Sequence, residues 1–194
     1  MKRLFFAALL GLFAWSTYGQ QLSGGAKAGL NITNWSTDFD NISSRLAFHL
    51  GGYVNYSLLD DLSLQGELLF NQTGAKSTGD PEGRIVTNYM SIPLLVMYPV
   101  ADAVNIYGGV QISFLLDAKS VITSGPNEGE EFDENDEFTG GDFAFVLGGE
   151  YAINENVTAG LRLALGLLNV AEDEGDEIKN VVIQLYAAAP LFPK

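Results

Sequence analysis

Eight segments of the chain alternate large apolar residues with small or polar ones at a period of two, the pattern of a strand with one apolar face. Leu22, Ala26, Ala28, Leu30 and Ile32 oppose Ser23, Lys27, Asn31 and Thr33 in the first. Leu46 to Leu58 and Leu62 to Phe70 repeat the pattern on even positions, with His49, Tyr53 and Glu67 on the other face. Met90 to Tyr98 is the least regular segment, because Tyr89, Pro93, Leu95 and Met97 share its second face. Val104 to Leu116 is regular again, and after a long gap the apolar parity becomes odd in Phe143 to Ile153, Val157 to Leu167 and Val181 to Ala187. Strands of roughly 9–13 residues are long for soluble sheets and match tilted membrane strands.

The connections choose the architecture. Leu59-Asp60-Asp61, Ala101-Asp102-Ala103 and Asn154-Glu155-Asn156 are short enough for hairpins. Thr33 to Arg45, Thr73 to Arg84, Ala118 to Gly141 and Asn169 to Asn180 are long. Short turns on one side and long loops on the other predict an all-β fold: an eight-stranded antiparallel up-and-down transmembrane β-barrel with short periplasmic turns and long extracellular loops.

Side-chain size says which face meets lipid. One face carries Leu, Ile, Val, Phe and Tyr almost without interruption; the other is too polar for the solvent-excluded core of a soluble barrel and too sparsely charged for a water-facing exterior. The large apolar face is therefore expected to point outward. Tyr56, Tyr98 and Tyr151 fall at its short-turn end and Phe48, Phe70, Phe114 and Phe143 near its long-loop end, two expected aromatic girdles.

Composition narrows the chemistry. The 194 residues include no cysteine and one histidine, which removes disulfides, thiolate metal sites and imidazole clusters. A formal charge of −14 argues against nucleic acid as a partner. Half of the 24 carboxylates lie in Glu128 to Glu137 and Glu172 to Glu177, so the charge is local. Lys2 and Arg3 precede an apolar run from Leu4 to Trp15 and the small residues Ser16, Thr17 and Gly19. This is the form of a cleaved secretory signal peptide over residues 1–19, leaving 20–194 as an outer-membrane barrel domain.

Few residues offer chemistry. Lys27, Glu67, Glu150 and Arg162 face the lumen. Parity pairs Glu150 with Gly160 and makes Arg162 its diagonal neighbour, a compensated polar core that plugs a narrow barrel rather than a catalytic fragment. His49 faces inward with no serine or carboxylate at a catalytic spacing. Asp133, Asn135 and Glu137 imitate the start of a calcium loop, but Phe138 stands where the tight turn needs glycine, and the acidic segment is expected to be a solvated mobile loop. No catalytic, cofactor-binding or metal-ligating residue is expected. Arg45, Lys76, Arg84, Lys119 and Lys179 flank the long-loop ends, a cationic rim expected to contact outer-membrane lipid and the phosphates of lipopolysaccharide.

The runs GAKAGLNITNW (Gly25 to Trp35), LSLQGELLFNQTGAK (Leu62 to Lys76), YMSIPLLVMY (Tyr89 to Tyr98), IYGGVQISFLLDAK (Ile106 to Lys119) and FAFVLGGEY (Phe143 to Tyr151) resemble the PorT-like family of outer-membrane β-barrel proteins. The resemblance spans nearly all of 20–194 and implies an outer-membrane location and insertion by the outer-membrane assembly machinery. PorT itself is tied to protein secretion across that membrane. Such barrels usually end on an aromatic, whereas this chain continues AAAPLFPK, and Pro190 and Pro193 predict that the eighth strand stops near Ala189. The reading is a non-enzymatic barrel with a filled lumen and acidic loops serving envelope integrity or surface interaction. The alternative is an accessory of secretion or transport, with a secretion-system or surface protein as partner.

Overall fold

The computed structural model describes residues 22–37, 41–59, 61–172 and 177–192. The expected signal peptide and part of the second acidic stretch lie outside the described residues. The barrel is built from β1 (Leu22–Ser36), β3 (Arg45–Leu59), β4 (Leu62–Ser77), β5 (Gly83–Ala101), β6 (Val104–Ile122), β8 (Gly141–Asn154), β9 (Val157–Gly166) and β10 (Lys179–Phe192). The short strands β2 (Ile42–Ser43) and β7 (Glu131–Asp133) add to β4 and β6 at the loop end. Every barrel strand pairs antiparallel with its sequence neighbour and β1 pairs with β10, which closes the sheet. Following the register from Gly24 through Val54, Gly66, Leu94, Val110, Phe145, Leu165 and Val181 returns to β1 at Asn34, ten residues from the start. Such a stagger tilts the strands by about 40° and closes a barrel narrow enough for side chains to fill.

The alternation read from the sequence is the inside–outside alternation of this barrel. Leu30, Leu46, Leu68, Leu94, Leu161 and Leu185 are exposed on the outer surface, while Asn31, His49, Glu67, Leu95, Arg162 and Gln184 are buried in the lumen. Large apolar side chains left outside and polar ones buried within invert a soluble fold, as a lipid solvent requires.

The three short turns share one construction. Leu59 pairs with Leu62, Ala101 with Val104 and Asn154 with Val157, so each loop holds two residues rather than the expected three. One strand position earlier the register slips in all three hairpins, leaving Leu58, Val100 and Ile153 as the extra residue of a bulge. Loop and bulge together still put Glu150 opposite Gly160, as parity demanded.

The strands outrun the sequence expectation at the loop end. β5 and β6 are 19 residues each, and the join expected from Thr73 to Arg84 is mostly paired strand, since Ser77 is already opposite Gly83. β10 also runs past Ala189 to Phe192, with Pro190 opposite Gly25. Its pairing with β9 ends at Ala188, so beyond that point one flank of β10 has no neighbour to receive an N–H, and a proline there loses no ladder bond.

The acidic segment between β6 and β8 is folded rather than a free loop. Phe138 is buried against Trp35, ring centroids 5.7 Å apart, in a cluster with Ala75, Ala118, Val170 and Ile178. Backbone bonds from Glu134 to Ala118, Thr139 to Val170 and Glu172 to Glu137 fix it, and Asn135 Oδ1 accepts from the Ala118 N–H. Its carboxylates face outward while one phenylalanine anchors it: the residue that breaks the calcium-loop pattern is the one the cap uses.

Candidate functional site

The lumen is organised around Glu67. Its Oε1 accepts from Lys27 Nζ at 2.6 Å, Arg162 at 2.7 Å and Gln65 at 2.7 Å, and its Oε2 accepts from the second guanidinium nitrogen at 2.8 Å. All three ionic side chains are buried. This corrects one expectation: Arg162 crosses the lumen to β4 instead of meeting Glu150 on its neighbour strand. Glu150 lies nearer the short-turn end, where its oxygens accept from Asn105 at 3.1 Å and the Tyr186 hydroxyl at 3.2 Å. The Tyr107 and Tyr186 hydroxyls, 2.9 Å apart, link the two carboxylates through Arg162 Nε, which donates to Tyr107 at 3.3 Å. Lys27 also sits 4.1 Å from the centre of the Tyr186 ring. Two cations and two carboxylates thus balance, and each is held by several partners, the condition under which buried charge is tolerated.

A second polar layer lies toward the loops. Asn31 Oδ1 accepts from His49 Nδ1 at 2.6 Å and Gln184 at 3.1 Å, and its amide nitrogen donates to Asn71 at 2.8 Å. His49 is therefore held by the Asn31 amide and by an edge-to-face contact with the Tyr186 ring, centroids 6.3 Å apart. Above this layer β3 parts from β4: their pairing stops at His49–Asn71, and only β2 rejoins β4 at Lys76. Side chains replace the missing ladder, with Asn31, Arg45 and Thr33 donating to the carbonyls of Gln72, Thr73 and Gly74 in turn.

Arg45 accordingly leaves the expected rim. It is buried, bonded to the Thr73 carbonyl at 2.8 Å and Gln72 Oε1 at 2.6 Å, because unpaired strand carbonyls inside the wall need a donor more than the surface needs a charge. Lys119 pairs with Glu131 at 2.8 Å and Lys179 with Glu177. Lys76 and Arg84 remain exposed, directly opposite one another on β4 and β5. Tyr56, Tyr98, Tyr151, Phe48 and Phe114 are exposed on the outer surface as expected, with Phe70 and Phe143 half-buried beside them; Phe48 and Phe70 stand 5.8 Å apart.

With the geometry in place, the comparisons decide the family. Residues 5–188 match the model of the outer membrane protein beta-barrel domain. The chain belongs to that family. Solved structures agree on the fold at low identity. Ail, the attachment invasion locus protein of Yersinia pestis, superposes with a TM-score of 0.56 at 15% identity, over 89% of this chain and 100% of Ail. Neisserial surface protein A gives 0.56 at 12% identity, over 88% and 99%. No curated protein matches by sequence.

This outer-membrane barrel uses lumen residues that the sequence reading passed over. Tyr107 and Tyr186 were on the inward parity but carried no assigned role. Each faces a glycine across the sheet, Gly148 and Gly160. A Cβ at those glycines would lie 2.4 Å and 2.2 Å from the tyrosine rings, so the rings lie flat on the opposing backbone. An inward tyrosine opposite an inward glycine was the available signal, once register was known.

The lumen is not filled throughout. On the short-turn side of the Glu67 cluster a cavity of about 1000 Å³ opens outward, its walls including Tyr53, Asn55, Ser57, Met97, Glu150 and Phe192 and its floor Lys27. Toward the loops, the space among Tyr89, Gln111 and Asp142 is only about 10 Å³. Outer-membrane barrels place their short turns in the periplasm, so the open end is the periplasmic one.

Proposed function

We propose that the protein is a non-enzymatic outer-membrane barrel that does not conduct, and that acts through its folded acidic loop face in envelope integrity or surface interaction. The observation that supports it is the pair of closures in series, the Glu67 cluster in the lumen and the Trp35–Phe138 cap over the loop end. Lys27, Arg162 and Glu67 engage one another and Glu150 accepts from Asn105 and Tyr186, an arrangement of compensated charge rather than of a poised nucleophile or base. Reconstituted protein is expected to give no stable channel in planar bilayers, and reproducible large conductance would overturn the reading. Deletion is expected to sensitise cells to detergent and bile-type surfactants without altering the set of secreted proteins.

A second reading, an accessory of secretion or transport in the PorT sense, draws on the periplasm-facing cavity, whose mixed polar and apolar wall could receive a segment of a periplasmic partner. Loss of secreted proteins on deletion would favour it over the first.

A further inference from the structure

On the outer face of β4, β5 and β6 the side chains change character in ordered rows. Phe70, Met90 and Phe114 are cross-strand partners in one apolar row. Beyond them Gln72, Asn88 and Asp117 form a hydrogen-bonded ladder, Gln72 donating to Asn88 at 3.0 Å and Asn88 to Asp117 at 3.2 Å. Three adjoining polar side chains are not stable in hydrocarbon, so the edge of the lipid core runs between these rows. Four residues past Gln72, Lys76 faces Arg84. At about 3.3 Å per residue and a tilt near 40°, that is about 10 Å above the ladder. The head-group layer is about 6 Å deep, and the alkyl stems of Lys and Arg can snorkel down to its level.

This arrangement has no internal justification. Like charges directly opposite on a sheet destabilise it, and no ion pair relieves either residue among the described residues. The other rim cations do not share the problem, since Lys119 and Lys179 each hold a glutamate and Arg45 is bonded inward. An anion between Lys76 and Arg84 turns repulsion into attraction, and the two long side chains, reaching down from the strand, meet that anion at head-group height rather than in open solvent.

We propose that Lys76 and Arg84 form a site for a phosphate group of an outer-leaflet glycolipid, the guanidinium donating two parallel hydrogen bonds and the ammonium neutralising the remaining charge. The proposal goes beyond the surface role above and rests only on the placement of the barrel in the outer membrane.

The test uses the folded full chain in neutral nanodiscs containing diphosphoryl lipid A, with native mass spectrometry reading retained lipid. The double substitution Lys76→Gln with Arg84→Gln should weaken retention about tenfold, and Lys119→Gln with Lys179→Gln less than about twofold. Dephosphorylated lipid A should be retained by the unaltered chain as poorly as the phosphorylated lipid is by the double variant. Equal retention by the double variant would leave the two cations as snorkelling side chains and overturn the proposal. Displacement of the lipid by millimolar inorganic phosphate would show a free-anion site and overturn it as well. In lipid-free detergent the double variant should resist heat at least as well as the unaltered chain, because a repulsion has been removed; lower resistance would mean that the pair serves the fold, against the proposal.

Discussion

The barrel treats its two ends differently. At the loop end Trp35, Ala118, Phe138, Val170 and Ile178 pack into an apolar cap outside the membrane, and the strands beneath it continue well past the lipid edge. At the turn end the strands stop in two-residue loops with a bulge behind each, and the lumen widens into a cavity lined by Asn55, Ser57, Asn105 and Glu150. Between them stands the Glu67 cluster. The difference teaches that a barrel of this size is not closed by strand number alone. Eight strands with a stagger of ten leave space that side chains must fill, and here bulky ones fill it in the middle and under the loops only.

The strongest way to break the contrast is to remove the partition itself. Glu67→Ala strips Lys27 and Arg162 of the carboxylate they both bond, leaving only Glu150, held apart by Asn105 and Tyr186, and should lower the stability of the folded barrel by about 3–5 kcal/mol. Loss of the difference in gel mobility between unheated and boiled samples, at a lower temperature than for the unaltered chain, would register it. Next comes the cap. Phe138→Ala should cost about 3 kcal/mol locally, seen as faster proteolysis between β6 and β8 while the heat resistance of the barrel stays unchanged. A parallel fall in barrel stability would mean that cap and barrel are one cooperative unit.

Gly160→Ala sharpens the turn-end half of the comparison. The added methyl meets the Tyr186 ring and should destabilise by about 1–3 kcal/mol, with Tyr186→Phe, which keeps the ring, failing to rescue it and Tyr186→Ser partly doing so. The smallest effect is expected at the cavity mouth, where Asp61→Asn should change heat resistance by less than about 0.5 kcal/mol, since Asp61 is exposed.

Strand faces were legible because lipid leaves period-two alternation almost uncorrupted, and Glu150 opposite Gly160 followed from parity alone. The partner of Arg162 was not legible, because which side chains meet across a closed lumen depends on the stagger accumulated around all eight strands. Nothing local in β9 points to Glu67 on β4. Arg45 misled for a related reason: its place at a strand end looked like a rim, while the parting of β3 from β4 beside it is a tertiary event. Phe138 was read as a flaw in a metal loop because its apolar partners, Trp35 and Val170, come from two other connections. The extent of the strands past the bilayer was hidden too, since the pairing that prolongs β4 and β5 continues through polar sequence such as Gln72, Asn88 and Lys76 where alternation fades.

The absence of native cysteine allows one direct measurement of the central contrast. In protein reconstituted in liposomes and permeable to reagent on both sides, Asn55→Cys, in the open cavity, and Thr87→Cys, buried beneath the cap, are exposed to a membrane-impermeant maleimide. The account predicts rapid modification of the first and at least about a hundredfold slower modification of the second, a protection of the order that burial under a locally stable cap provides. Comparable rates at the two positions would contradict it.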